Sequence, residues 1–495
     1  MLQPPPCVLA VLPGLFPSTV INVAKPLLRL HEAAAIDLDL SFQFVVRRRQ
    51  LARTDVLVLC HTIDPAHAWI LDCARDAGTP LVYDIDENLF EPPPGVPGLD
   101  FHRAPERQAA IRQCLRQASL VRTYAPALKR YLEPYSSNVV RVDGPIDWRL
   151  VPSQPPTRSA DRVRLVYATS RMQDSIGYTL AAPLRRVLTE HPDVEVTIWG
   201  PRLAELGAHP RMQYRDFVRN YDRYFEQFAR AGFDIGLAPL PTDLWYECKT
   251  ATKVRDYAAC RIAGIYSDTE VYRDCVTDGV TGLLVPPNEE AWVAAMGRLI
   301  GDAALRRQIQ ERAEAYARER YGPGRMEQDW LNHIEMVMAD GSSPRESEAK
   351  RAHVGGFRGT DVRVRRGSAS LAAMTAGIVR QAVRYATRVP RLLRNGGIRD
   401  VWARTRGQVA SFRQLMAWEF ALRRMQRQQN LQMSRSVRLQ SASGPREAPE
   451  GSAAQPRRRA GASGSLEPRT LGVWPQRSEK GGAPRTQIAD RDRLP

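Results

Sequence analysis

Two patterns of apolar residues alternate along the first 340 positions of the chain. Short continuous apolar runs, such as CVLAVLP at 7–13 and DVLVLC at 55–60, have the length and composition of strands buried on both faces. Stretches with apolar residues at helical spacing separate these runs, and such alternation predicts parallel sheets covered by helices. The predicted strands are residues 7–13, 55–60, 80–86, 119–124, 138–144, 164–170, 195–200, 234–240, 263–268 and 281–287.

The alternation is interrupted once, by the Pro/Ser-rich segment LVPSQPPTRSAD at 150–161. We therefore predict an α/β protein with a first domain at 1–150, a linker at 151–162 and a second domain at 163–340. Two consecutive α/β halves indicate two Rossmann-like domains whose parallel sheets face a cleft. Ligands of such folds bind beyond the carboxyl ends of the strands.

The segment WYECKTATKVRDYAAC at 245–260 has an unusual charge pattern. Its apolar spacing predicts a helix that begins near Thr250, with Lys249 and Lys253 at the start, where the helix dipole disfavours cations. Either an anion binds there, held by backbone N–H groups and ammonium groups together, or the lysines extend into water. A later helix, capped by Asn288, carries acids in its first turn as the dipole favours. This contrast favours the anion.

Cysteine usage and hydropathy exclude several classes of protein. The 7 cysteines are scattered without a CxxC pair, which argues against a zinc site and a secreted disulfide framework and favours a reducing cytoplasm. The apolar N-terminal run lacks a basic flank and is broken by Pro13, so we do not interpret it as a signal peptide. No segment approaches the roughly 18 apolar residues of a membrane span. A cytoplasmic protein, at most peripheral at the inner face of a membrane, is expected.

The excess positive charge, +17 for the chain, lies entirely in the last 155 residues. Residues 339–370 and 440–495 have the composition of disordered segments. Between them, 371–389 and 400–428 have the pattern of basic amphipathic helices with aromatic residues. An anionic membrane surface, binding through 371–428, suits this tail best, ahead of a solvated appendage that packs on the body. Nucleic acid or an acidic protein is a less favoured partner.

The residues at 233–292, including KTATKVRDYAACRIAGIYSD, closely resemble the C-terminal signature of the family 4 (group 1) glycosyltransferases, which have the GT-B fold. Residues 81–94 and 139–147 resemble the N-terminal domain of that family, and the resemblance extends over about 7–338. It implies a hexosyltransferase-like enzyme that moves a sugar from a nucleotide-diphosphate sugar to a polysaccharide, glycolipid or other acceptor. The family resemblance also implies retention of anomeric configuration, no catalytic metal and no cofactor besides the donor.

The resemblance assigns the donor to the second domain and the acceptor to the first. Lys249, Thr250 and Lys253 match the family's K-S-x-x-K variant and imply contacts with the diphosphate, whose leaving charge needs stabilisation. Asp256 matches the second acid of the E-x7-E motif, which holds the ribose. Cys248 replaces the first acid, so the sugar contact has no matching residue, and its neighbour Glu247 is a candidate.

Other positions depart from the family pattern. Gly14 is a single glycine where many members have a Gly-Gly pair for close approach of the donor. Asp86 replaces a histidine, and it is a base toward the acceptor hydroxyl, a stabiliser of an oxocarbenium-like state or a loop residue without chemistry. Arg171 stands where members have an Arg-x4-Lys pair, and it either contacts the diphosphate or lies on the surface. For His61 and His67 we favour a polar loop role over catalysis.

Three further expectations complete the interpretation. Arg261 replaces the glycine of a turn, which we interpret as a local backbone change. The acidic stretch DIDEN at 84–88 is interpreted as a loop at the cleft rather than a metal site. Two alternative functions stay open: a catalytically inactive GT-B scaffold whose tail binds membrane or nucleic acid, and a nucleotide-sugar 2-epimerase.

Overall fold

The computed structural model describes residues 4–14, 16–43, 46–93, 100–159, 161–169, 177–200, 209–218 and 220–341. The predicted tail helices, the predicted disordered segments beyond residue 341 and Arg171 lie outside these ranges.

The first sheet has six parallel strands in the spatial order β2-β1-β3-β4-β5-β6. Its strands are β1 (Cys7–Leu12), β2 (Asp37–Phe42), β3 (Val56–Cys60), β4 (Leu81–Asp84), β5 (Leu120–Thr123) and β6 (Val139–Arg141). The chain leaves β1 toward one side of the sheet and returns on the other at β3, so the strand order reverses between β1 and β3. Such a reversal is where α/β sheets bind ligands.

Helices and helical turns connect these strands. They are α1 (Pro17–Thr19), a π-helical turn (Val20–Ala24), α2 (Lys25–Glu32), α3 (Arg48–Leu51), a 3-10 turn (Pro65–His67), α4 (Trp69–Asp76), a 3-10 turn (Asp100–Arg103), α5 (Pro105–Gln117), α6 (Pro126–Leu132) and a 3-10 turn (Trp148–Leu150). The strands are buried almost throughout because both faces of the sheet are covered.

The second sheet repeats this design, in the order β12-β11-β10-β7-β8-β9. Its strands are β7 (Val163–Ala168), β8 (Val194–Trp199), β9 (Met212–Arg215), β10 (Ile235–Ala238), β11 (Ala263–Ser267) and β12 (Leu283–Val285). Its helical elements are a 3-10 turn (Gly177–Leu180), α7 (Ala181–Glu190), α8 (Tyr221–Ala229), α9 (Leu244–Glu247), α10 (Thr252–Ala259), α11 (Glu270–Arg273), α12 (Glu289–Gly301), α13 (Ala303–Arg320) and α14 (Arg325–Gly341). The reversal lies between β7 and β10.

The last helix, α14, lies in the range predicted for the second domain, 163–340, and packs on the first sheet. Helix α14 carries Trp330 and Ile334, which are fully buried in one core cluster with residues of the first sheet such as Val58 of β3 and Val82 of β4. The indole Nε1 of Trp330 donates to the carbonyl oxygen of Asn22 at 2.8 Å. An apolar helix face is recognised from its spacing, but the sheet that it covers is not, and the domain ranges themselves stay a prediction.

Two other predictions are refined. The helix expected from Thr250 begins at Thr252, so Lys249 lies in the loop before it. Asn288 caps α12 as predicted, since its side-chain oxygen accepts from the amide of Ala291 at 2.9 Å. Among the described residues, no helix combines the length and hydropathy needed to cross a membrane.

Candidate active site

The loops after β1, β3 and β4 meet at the strand-order reversal of the first sheet. Gly14 follows β1, His61 follows β3 directly, and Asp86 and Glu87 follow β4. Because these strands are neighbours, the three loops bring an imidazole and two carboxylates together at the carboxyl edge. The sequence predicted Gly14 and Asp86 there, and it gave His61 a polar loop role.

His61 is part of this cluster, in the loop after β3. Its Nε2 lies 3.0 Å from Oε1 of Glu87 and 3.9 Å from Oδ1 of Asp86. Its backbone has a φ of 64°, in the left-handed region that most residues avoid. The amide of His61 donates to the carbonyl of Asp84 at 2.7 Å, and Tyr83 donates to the carbonyl of His61 at 2.7 Å. The available signal was its place directly after the strand next to β1.

The second domain contributes Lys249 to the same cluster. Its ammonium forms an ion pair with the Glu87 carboxylate, and its Nζ lies 3.5 Å from the centroid of the Trp245 ring. The side chain of Lys249 is 16% exposed, so it does not extend into water as the alternative interpretation had it. Lys249 can contact Glu87 because it lies in the loop before α10 and not in the helix itself. In this structure the anion at Lys249 is a carboxylate of the first domain.

The charges of this cluster shift one another's pKa values. Burial favours a raised pKa for Glu87, but Lys249 and the hydrogen bond with His61 outweigh it and hold the pKa well below its usual range. Burial opposes protonation of His61, yet the hydrogen bond with Glu87 and the charge of Asp86 raise its pKa. Burial, reinforced by the charge of Glu87, raises the pKa of Asp86 against the effects of His61, Lys249 and Ser18.

The other predicted donor residues lie along α10 in the second domain. Asp256 is 3% exposed, and its Oδ1 accepts a hydrogen bond from the hydroxyl of Tyr221 at 3.2 Å. Burial raises the pKa of Asp256, and the charge of Lys253, in the first turn of α10, opposes this. Thr250 accepts from Nη1 of Arg255 at 3.4 Å. The structure therefore groups these residues around α10, with Lys249 reaching away from them to the first domain.

Glu247 and Cys248 have partners that the sequence did not indicate. The Oε2 of Glu247 accepts from the amide of Val271, in the first turn of α11, at 3.3 Å. Cys248, where the family has its first acid, is fully buried among core residues of the first domain. The loop before α10 is thereby packed into the first domain.

Gly14 occupies the turn after β1. Its carbonyl accepts from the hydroxyl of Thr19 at 2.8 Å, and an added Cβ would lie 3.1 Å from the ring of Phe16. Phe16 is 47% exposed, and its ring centroid is 6.2 Å from that of His61. Over the described ranges, no three His, Cys, Asp or Glu side chains are arranged to hold a metal ion.

Comparison with known proteins supports the interpretation of the second domain. A family model described as "Glycosyl transferases group 1" matches residues 163–302. No curated protein sequence matches the chain.

Solved structures resemble the chain in fold. Anabaena Alr3699/HepE, in complex with UDP and glucose, is 14% identical, with a TM-score of 0.50, over 66% of this chain and 99% of its own. The sucrose-phosphate synthase of Thermosynechococcus elongatus is 12% identical, with a TM-score of 0.51, over 67% of this chain and 99% of its own. The predicted α/β architecture of the GT-B type is thereby confirmed, as is the resemblance to group 1 glycosyltransferases.

Proposed function

We propose that this chain, whose residues 163–302 are of the group 1 glycosyltransferase type, transfers a hexose from a nucleotide-diphosphate sugar with retention of configuration. The observation that carries the proposal is the position of Lys249. This residue of the family motif reaches across the domain boundary into a cluster of ionisable side chains at the strand-order reversal of the first sheet. A cation from the donor domain beside acceptor-domain carboxylates is an arrangement suited to sugar transfer.

The donor would bind at α10. Lys249 and Lys253 would contact the diphosphate together with the first backbone N–H groups of α10, with Thr250 beside them. Asp256 would accept hydrogen bonds from the ribose hydroxyls in exchange for its present bond with Tyr221. These cations act most strongly when the glycosidic bond breaks, because negative charge then accumulates on the leaving phosphate.

The acceptor would bind to the first domain between Gly14 and Asp86. Asp86 would accept a hydrogen bond from the acceptor hydroxyl and orient its oxygen toward the anomeric carbon. In front-face transfer a phosphate oxygen takes the hydroxyl proton, so neither a protein nucleophile nor a metal ion is needed. For Glu247, a contact with the transferred sugar stays a prediction, as does a diphosphate contact for Arg171.

The acceptor would be a polysaccharide, a glycolipid or another glycan. A lipid-linked acceptor fits a tail that binds an anionic membrane surface through 371–428, and it fits a peripheral place at the inner face of the membrane. The inactive scaffold is the outcome that remains if no donor binds.

The test is nucleotide binding to the full chain. We expect one of UDP, GDP, ADP and dTDP to raise the unfolding temperature, because a ligand of the native state stabilises it. Lys249→Ala should abolish this response. Lys129→Ala is the matched control, since Lys129 pairs with Glu133 on an exposed face of α6 and its side chain is 40% exposed. No response to any of the four nucleotides would favour the scaffold.

A further inference from the structure

The ion pair between Lys249 and Glu87 joins the two domains at the reacting end of the site. Lys249 belongs to the loop before α10, and Glu87 belongs to the loop after β4. Their side chains are only 16% and 21% exposed, so water screens their attraction less than it screens a surface pair.

Glu87 is held in place from its other side as well. While Oε2 contacts Lys249, Oε1 lies 3.0 Å from Nε2 of His61. The pKa of Glu87 is well below its usual range, so the carboxylate is ionised at neutral pH. A fixed anion therefore faces the lysine that a diphosphate would need.

The chain on either side of the pair is anchored too. Cys248, next to Lys249, is fully buried in the core of the first domain. Trp245 lies against the Lys249 ammonium. The two loops are thus packed together, and the contact between Lys249 and Glu87 follows from the backbone rather than from two extended surface side chains.

We propose that Glu87 is an internal competitor of the donor's diphosphate for Lys249. This inference rests on the proposed donor site. A carboxylate offers an ammonium group the same kind of charged oxygen as a phosphate does. Diphosphate binding would replace Glu87 at Lys249 and leave Glu87 paired with His61. After transfer, the ion pair between Glu87 and Lys249 would form again as the nucleoside diphosphate leaves. Glu87 therefore lowers the affinity for the donor and for the product alike.

The size of the effect follows from the fraction of molecules in which Lys249 is available. If Lys249 is ion-paired with Glu87 in about nine molecules of ten, the apparent affinity for a diphosphate falls about tenfold. Glu87→Gln retains the shape and the hydrogen-bonding capacity of the side chain but removes its charge. We therefore expect this variant to bind diphosphates about tenfold more tightly.

The experiment is calorimetric titration of the full chain with inorganic pyrophosphate and with UDP, GDP, ADP and dTDP. Pyrophosphate carries the charged part that all four nucleotides share. The proteins are the wild type, Glu87→Gln, Lys249→Met and the double variant. Glu91→Gln is the matched control, because Glu91 lies in the same loop, is exposed and accepts from Tyr131 at 2.8 Å.

Support requires tighter binding by Glu87→Gln, unchanged binding by Glu91→Gln, and no effect of Glu87→Gln when Lys249 is already methionine. Equal affinity of Glu87→Gln and the wild type, with binding lost in Lys249→Met, would overturn the inference and leave the donor site intact. Wild-type affinity in Lys249→Met, or no binding by any protein, would overturn both. Glu87→Asp shortens the side chain and keeps its charge, so it should raise the affinity for diphosphates less than Glu87→Gln does. If Glu87→Gln fails to fold, Glu87→Asp takes its place in the titrations.

Discussion

The left-handed backbone of His61 allows a direct test of the geometry of the site. The φ of 64° at His61 is rarely adopted by residues with a Cβ atom. Strained backbone persists where the surrounding structure enforces it, and it is frequent at functional sites. Two substitutions, His61→Ala and His61→Gly, both remove the imidazole and its hydrogen bond with Glu87, and they differ in the Cβ atom alone.

The expected difference in the free energy of unfolding follows from two opposing effects. Alanine in the left-handed region costs about 1–2 kcal/mol. Glycine avoids this penalty but loses more conformational freedom on folding, about 0.5–1 kcal/mol relative to alanine. We therefore expect His61→Gly to be more stable than His61→Ala by about 0.5–1 kcal/mol. At ordinary helical or extended positions the order is the reverse.

The measurement is urea unfolding of both variants in the full chain, monitored by fluorescence and by circular dichroism. His67 provides the matched pair, since it ends the 3-10 turn Pro65–His67 and its φ is negative. There we expect alanine to be more stable than glycine. If His61→Ala were the more stable variant at position 61 as well, the left-handed backbone and the argument built on it would be refuted.

Two further predictions concern stability. Trp330→Ala should lower the free energy of unfolding of the first domain by about 3–5 kcal/mol, because Trp330 is fully buried between α14 and the first sheet. Met336, on the same helix, is 36% exposed, so Met336→Ala should change this free energy by less than about 0.5 kcal/mol. Urea unfolding measures both changes. Burial raises the pKa of Asp84 to about 7 against the opposing effects of Arg122 and Tyr124. The pKa of Asp84 is higher in the folded protein than in the unfolded chain, so protonation of Asp84 stabilises the fold. This contribution to the free energy of unfolding is complete below about pH 4 and is lost as the pH rises through about 7. Asp84→Asn should flatten that part of the stability–pH curve.

Much of the fold could be predicted from the sequence because the central strands are continuous apolar runs. The two strands that were missed, β2 and β9, are edge strands, and their segments DLDLSF and MQYR alternate polar with apolar residues. Edge strands bury less of their surface, so their pattern is weaker.

Arg261 is a different case: the sequence indicated a backbone change, and the structure gives a left-handed φ of 53° just after α10, where glycine is favoured.

The candidate site was predictable only in part because its residues come from separate elements. The helical spacing and the family motif placed Lys249, Lys253 and Asp256 on or beside one helix. Neither indicated that Lys249 meets Glu87 of the other domain, since nothing local in the sequence records a contact over 162 positions. The contacts of His61 with Asp86 and Glu87 were not predicted either, because they depend on which strands are neighbours in the sheet.

The contacts around the site also bear on how the domains open. Away from the site the domains are joined by further charged pairs, such as Arg130 with Glu270 at 2.6 Å, which is exposed, and Lys25 with Asp222 at 2.5 Å, in which the lysine side chain is only 12% exposed. An exposed pair such as Arg130 with Glu270 contributes about 0–1 kcal/mol. The buried Cys248 and the ion pair of Lys249 hold the inner contact, and substrate binding would exchange that ion pair for another of the same kind. An anionic donor would therefore replace the carboxylate that Lys249 loses when the two loops separate.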